Sequence, residues 1–252
     1  QGLANTAWAY ASLGHRAPTL LDAIAATVAP AIGTLNTQEI ANTAWAYATA
    51  DHRSDVLFCS SRFVDRCVEL HDHGEGFAVE GRCQLHQWQL WLELEGSGGG
   101  AWPSLPQELA ARCRADFVSR KVNPSMLQRQ VAETLVTLGL EAREEVMTPQ
   151  GYSLDTVVRV AGRDVAIEVD GPRHFFARAP TGRTLLKRRQ LCAADWRLVS
   201  VPYWDWNGTL QQPRRRREYM AGRLEEALQG ALTAREILDA TGDASKPDEG
   251  GT

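Results

Sequence analysis

An octapeptide that occurs twice at a fixed offset constrains this chain more than any other feature. Ala4-Asn5-Thr6-Ala7-Trp8-Ala9-Tyr10-Ala11 returns unchanged as Ala41-Asn42-Thr43-Ala44-Trp45-Ala46-Tyr47-Ala48, a period of 37 residues. The flanks follow: Gln1-Gly2-Leu3 aligns with Gln38-Glu39-Ile40, and Gly14-His15-Arg16 with Asp51-His52-Arg53. Self-similarity at such a period marks a repeat of one supersecondary unit, here a helical hairpin.

The unit reads as two helices. Asn36-x-x-Glu39 suits a capping box, and a helix is predicted from there to about Ala50, with Ile40, Ala44, Tyr47 and Ala48 at helical spacing. In the first unit the second helix is predicted from Pro18 to Ala31, since proline at the first helical position gives up no hydrogen bond. Leu85-His86-Gln87-Trp88-Gln89-Leu90-Trp91 heads a degenerate third unit. Small alanines let helices approach, while Trp and Tyr fill the space between them. One hairpin cannot bury its apolar face alone, so residues 1–95 are expected to form a fragment of an α-solenoid. Trp8 and Trp45 read as inter-helix core, with stacking on nucleobases as the alternative. Asn5 and Asn42 read as structural or exposed helix residues, with contact to a base edge as the alternative.

The 252 residues, 44% of them apolar, suffice for two modules. No run of 18 apolar residues exists, which excludes a transmembrane helix. Five cysteines (59, 67, 83, 113 and 192) lack CxxC spacing and histidine partners, so neither a disulfide scaffold nor a zinc site is expected, and a reducing compartment is the simplest reading. The chain starts inside a repeat at Gln1, so a fragment or processed form is expected, with any targeting peptide upstream. Net charge is −4, which excludes a uniformly basic coat. Its distribution is uneven. Between Arg178 and Arg223 there are 11 Lys and Arg against 3 Asp and Glu, a basic block in an acidic chain.

Gly96-Ser97-Gly98-Gly99-Gly100 reads as a flexible break, and residues 96–124 as a linker with a short helix near Gln107–Arg120. Residues 125–230 read as a second module. A helix over Ser125–Leu138 ends at Gly139, and runs at Glu141–Met147, Tyr152–Val160 and Asp164–Asp170 suit strands. Ala161-Gly162-Arg163 makes the last two a hairpin. A helix from Arg183 to about Ala194, a strand at Arg197–Val201 and a helix over Arg214–Leu228 complete the order αβββαβα. Residues 231–252 hold the end of that helix and a tail expected to be disordered.

In the third strand Glu168 and Asp170 share a face, and Asp155 lies on the neighbouring strand. Carboxylates on a buried strand are costly unless paired, protonated or metal-bound. The three are therefore expected to cluster within metal-bridging reach, with His174 folding back after Gly171-Pro172.

Several ordered motifs here resemble the RAP domain: Leu154-Asp155, Ile167-Glu168-Val169-Asp170-Gly171-Pro172-x-His174-Phe175, Thr181-Gly182-x-Thr184-x-Leu186-Lys187-Arg188-Arg189, and Val199-Ser200-Val201-Pro202-Tyr203-Trp204-x-Trp206. The front block resembles the octotricopeptide and FAST kinase-like helical repeats. This combination implies an RNA-binding protein of mitochondria (the matrix) or chloroplasts, acting in transcript processing, stability or translation. The RAP resemblance further implies a restriction-endonuclease-like core. In that fold's metal-binding pattern, Asp155 and Glu168 match the acids, while Asp170 stands where a lysine is usual. An alternative function follows, a Mg²⁺-dependent endoribonuclease using Asp155, Glu168 and Asp170, with Lys187 substituting for the missing lysine. A third reading is a protein-interaction scaffold of a ribonucleoprotein complex.

The leading expectation is RNA binding without a required cofactor. Arg183, Lys187, Arg188 and Arg189, together with Arg214, Arg215, Arg216 and Arg217, would contact phosphates, and His174 would join the RNA-binding site as a phosphate contact, proton shuttle or metal ligand, or else hydrogen-bond the acidic cluster and fix the loop. Tyr203, Trp204 and Trp206 would offer stacking platforms, with at least one of them in the core. The expected partners are single-stranded organellar transcripts or rRNA, and ribonucleoprotein components, with no membrane.

Overall fold

Alanine-rich helices and one small sheet account for most of the computed structural model, which describes residues 1–73, 76–96, 102–119, 124–208 and 212–229. Residues 97–100 of the expected glycine break, and the tail from 230 onward, lie outside the described residues. Two compact units emerge. Among the described residues, one holds those up to 119 with 174–194, the other 124–173 with 195–229. The expected boundary near residue 125 is thus crossed once, because the stretch 174–194 packs with the helices of the first unit.

The helical unit opens with α1 (Gly2–Ser12), α2 (Pro18–Val28), a 3-10 turn (Ala29–Thr34) and α3 (Thr37–Ala50). It continues through α4 (Asp55–Phe58), α5 (Arg62–Asp72), α6 (Val79–Glu95) and α7 (Gln107–Val118). The capping box at α3 forms as expected: Asn36 Oδ1 accepts from Glu39 N–H at 2.9 Å, and Glu39 Oε2 accepts from Asn36 N–H at 2.8 Å. α1 packs on α3, and α3 on α6. Alanines 7, 41, 44, 46 and 48 are fully buried, which is what such close approach of helices requires. Phe58 fills the gap beyond them, against Tyr47, Phe63, Trp88, Trp91 and Trp102.

In the second unit α8 (Met126–Thr137) precedes β1 (Ala142–Met147), β2 (Ser153–Val160) and β3 (Arg163–Asp170). Gly139 follows α8 at φ 67°, the left-handed position that ends a helix cheaply only without a Cβ. β1, β2 and β3 pair antiparallel in sequence order. The two-residue turn Ala161-Gly162 has positive φ at both positions, matching the twist of the hairpin. A 3-10 turn (Pro172–His174) and the two-residue strands β4 (Phe175–Phe176) and β5 (Ala179–Pro180) follow, then α9 (Gly182–Ala193). From His174 to the end of α9 these residues belong to the helical unit. The chain then returns as β6 (Arg197–Pro202), parallel to β3, giving the order β1-β2-β3-β6. The short α10 (Tyr203–Gly208), absent from the sequence reading, leads towards α11 (Pro213–Ala227). One sheet face, with Val158, Ile167, Val169, Val199 and Val201, packs on Val131 and Leu135 of α8 and on Met220 and Leu224 of α11. Burial of these aliphatics contributes about 1.5–3 kcal/mol each, an upper bound set by the unfolded reference.

Candidate nucleic-acid interface

The acidic residues of the sheet do not form the expected metal site. Past the last paired residues of the hairpin, Thr156 and Ile167, the ladder is continued by a side chain. Asp155 Oδ2 accepts the Val169 N–H at 2.7 Å. Asp170 is buried, and its Oδ2 accepts from Ser200 Oγ at 2.6 Å on the neighbouring strand. Asp155 and Asp170 therefore bind protein donors on opposite sides of β3. Among the described residues, no three His, Cys, Asp or Glu side chains gather as a metal ion would need. The expected gathering of Asp155, Glu168 and Asp170 around one ion is corrected on that ground. A carboxylate already accepting a short backbone hydrogen bond is part of the sheet.

His174 is exposed at the end of the 3-10 turn. Its Nδ1 lies 3.3 Å from Thr184 Oγ1, and its carbonyl accepts from the Thr181 N–H at 2.9 Å. It holds the entry to α9 in place.

On α9 the basic residues part company. Arg183 is exposed; Lys187 and Arg188 are half-buried. Arg189 is half-buried too, but its donors turn inward. Its Nε pairs with Glu95, its Nη2 donates to the Ala48 carbonyl, and its Nη1 donates to the Thr49 carbonyl at 3.0 Å. Those carbonyls end α3 and Glu95 ends α6, so one guanidinium serves two helix C-termini, where positive charge is favoured. Burial pushes the Glu95 carboxyl up from its ordinary value, and Arg189 opposes that shift. Beside it the buried Gln190 donates to the Gln87 carbonyl at 2.7 Å. The assignment of Arg189 to phosphate contact is therefore corrected: its donors are engaged inside the helical unit.

The three aromatics of α10 also divide. Trp206 is fully buried, and its Nε1 donates to Gln130 Oε1 at 3.1 Å. It is core, not a stacking platform. Tyr203 and Trp204 stay half-exposed, edge to face at 5.1 Å. The Arg216 guanidinium lies over the Trp206 ring, 5.3 Å from its centre.

α11 opens with Arg214, Arg215, Arg216 and Arg217 directly after Pro213. Arg214 and Arg215 are exposed, whereas Arg216 and Arg217 are half-buried. No acid sits in this first turn, and Gln212 offers it no side-chain cap. The other end carries Glu225 and Glu226 and no base in its last turn. The helix is therefore charged against its own dipole at both ends, at a cost of about 0.3–1 kcal/mol for each misplaced charge near the surface. Arg214 recovers a little through Glu218 at 2.7 Å. Further along, Arg223 points inward and donates to the Ser200 carbonyl at 3.1 Å, tying α11 to β6.

No helix among the described residues is long and apolar enough to cross a membrane. Compared with known proteins, residues 167–220 match the RAP domain, a stretch that runs from β3 into α11 and excludes Asp155. A RAP domain-containing protein of Oryza sativa subsp. japonica, described as chloroplastic, is 35% identical over 104 residues. That alignment covers 40% of this chain and 16% of the rice protein, so most of the relative lies outside the comparison. What is established is local: the chain carries a RAP domain at residues 167–220, on a mixed helical and sheet fold.

Proposed function

We propose that this protein binds single-stranded RNA in an organelle, and that the phosphate chain docks on the first turn of α11. One observation carries the reading. Four arginines occupy a helix N-terminus that favours acids, inside the stretch matching the RAP domain. The backbone N–H groups of a helix start and the positive dipole end already attract anions there, and the guanidiniums add charge and forked donors. A cost to helix stability is offset when a phosphate arrives. Tyr203 and Trp204, half-exposed on α10, would stack an unpaired base.

The family of the matched domain generally binds RNA, and the name of the rice relative favours the chloroplast over the mitochondrion. Transcript processing, stability or translation is the role that follows. In this reading the stacked hairpins are part of an α-solenoid of the octotricopeptide or FAST kinase-like kind, and the four-stranded sheet is a restriction-endonuclease-like core kept for binding. The expected domains, 1–95, 96–124 and 125–230, are retained as sequence units even though 174–194 packs with the helices.

The test is anisotropy of a labelled single-stranded RNA titrated with the full chain over a series of salt concentrations. Wild type should show a steep fall of log K with log salt. Arg214→Ala with Arg215→Ala should flatten it by about 0.7 for each phosphate no longer neutralised. Binding that ignores salt, or a slope the double variant leaves alone, rules the reading out.

A further inference from the structure

Within the helical unit a groove of about 720 Å³ runs across α1, α3 and α6. A row of carboxamides, one from each of these helices, lines it. Gln84 Nε2 donates to Asn42 Oδ1 at 3.2 Å, and Asn42 Nδ2 donates to Asn5 Oδ1 at 3.2 Å. The middle member is only 8% exposed, so its orientation is set by its neighbours. The row is polarised: it ends on the Asn5 amide, a donor, at α1 and on the Gln84 carbonyl, an acceptor, at α6. Trp8 forms a wall and is 41% exposed. Its ring lies 6.3 Å from that of Trp45, which is buried and fixed by a 3.0 Å bond from its Nε1 to Gln87 Oε1. Trp8 thus has a rigid back and an open front.

Charge narrows the choice of occupant. No Lys or Arg is among the described lining residues, and Glu80 is the one acid there. A phosphate or an acidic peptide would meet repulsion and no cation. A flat, neutral heterocycle with donors and acceptors on its edge meets what the groove offers: an indole face and carboxamides able to pair with a base edge. We infer that this groove takes an unpaired base of single-stranded RNA, stacked on Trp8 with its polar edge on the row Asn5, Asn42 and Gln84. The inference rests on the RNA-binding reading and adds a second site to it, where neutral contacts replace charge.

The experiment uses the full chain and a labelled single-stranded RNA of about 12 nucleotides, long enough for a typical binding groove. Trp8→Ala is expected to weaken binding on the order of tenfold at every salt concentration, with the salt slope unchanged. Trp8→Phe should recover most of the loss, and Asn5→Ala with Gln84→Ala should reproduce part of it. On an abasic strand of the same length, wild type and Trp8→Ala should bind alike. Unfolding midpoints of the variants provide the folding control. Equal affinity of wild type and Trp8→Ala for normal RNA, or the same loss on the abasic strand, overturns the inference. So does a peptide copying residues 36–51 that binds wild type and not Trp8→Ala while RNA binding stays intact, since the groove would then hold a helix. If wild type binds RNA with an Arg214- and Arg215-dependent slope but ignores Trp8, the groove alone is refuted. If wild type binds no RNA, both readings fall.

Discussion

Two basic runs, Lys187-Arg188-Arg189 on α9 and Arg214 to Arg217 on α11, look interchangeable as sequence and do opposite things in the fold. On α9 the last arginine is consumed by two helix ends and a carboxylate of the helical unit. On α11 the first two arginines are exposed at a helix terminus that gains nothing from them. Both lie inside residues 167–220. A charge run therefore does not announce its role. What decides is whether buried carbonyl oxygens lie within reach of the guanidinium, since five fixed donors satisfy a cluster of acceptors that water no longer serves.

The contrast is largest at Arg189. Arg189→Ala leaves the half-buried Glu95 without this partner and removes a donor from the carbonyls of Ala48 and Thr49. Loss of about 3 kcal/mol is expected, the lower part of the range for breaking a buried pair, because the Arg189 side chain keeps 26% of its exposure. Denaturant unfolding of the full chain would measure it, with RNA affinity of the folded protein unchanged. Arg189→Lys should recover less than half, since one ammonium cannot span three acceptors. If Arg189→Ala is as stable as wild type, the clamp is not what holds α9. Next in size is Gly182→Ala at the start of α9. A Cβ there would collide with the Ala11 carbonyl oxygen and sit 2.8 Å from Thr49 Cγ2. About 2 kcal/mol should be lost, again by denaturant unfolding, because the obstacle is backbone and cannot turn aside.

Much of this fold is legible in the sequence. The period of 37 residues announced the matching helices α1 and α3, Asn36 with Glu39 announced a helix start, and alternation in residues 152–170 announced the strand hairpin. These signals are local. The parts that stayed hidden depend on distant backbone. Arg189 and Glu95 are 94 residues apart, and its other acceptors are carbonyls, which no side-chain pattern reports. Asp155 looked like a ligand because a strand pattern places it on a face, but cannot reveal that the neighbouring Val169 N–H needs an acceptor. Trp204 and Trp206 lie past the strand predicted to end at Val201, where no helix is predicted. The helical turn of α10 separates them and buries only Trp206. Gln84 escaped because it answers Asn42 at an offset of 42 residues, outside the period of 37.

On α11 the effects on stability should be small and those on RNA large. Arg214→Ala with Arg215→Ala should shift unfolding by less than about 0.5 kcal/mol, as for other exposed substitutions. The same pair should lower RNA affinity at physiological salt and flatten its salt dependence. Equal losses of stability from the α9 and α11 variants would erase the contrast between the two runs.

The finest test reverses a sign. Arg214→Glu with Arg215→Glu places acids where the dipole of α11 favours them. Each should stabilise the helix by a few tenths of a kcal/mol, less the lost pair between Arg214 and Glu218. Glu218 would then face a like charge one turn away, so Glu218→Lys belongs in the same variant to isolate the dipole. The triple variant should unfold at slightly higher denaturant than wild type while binding RNA far more weakly. A gain in stability joined to a loss of affinity is what distinguishes arginines kept for a ligand from arginines kept for the fold. If stability falls instead, the first turn of α11 needs its positive charge for structure, and α11 joins α9 among the elements whose arginines serve the fold.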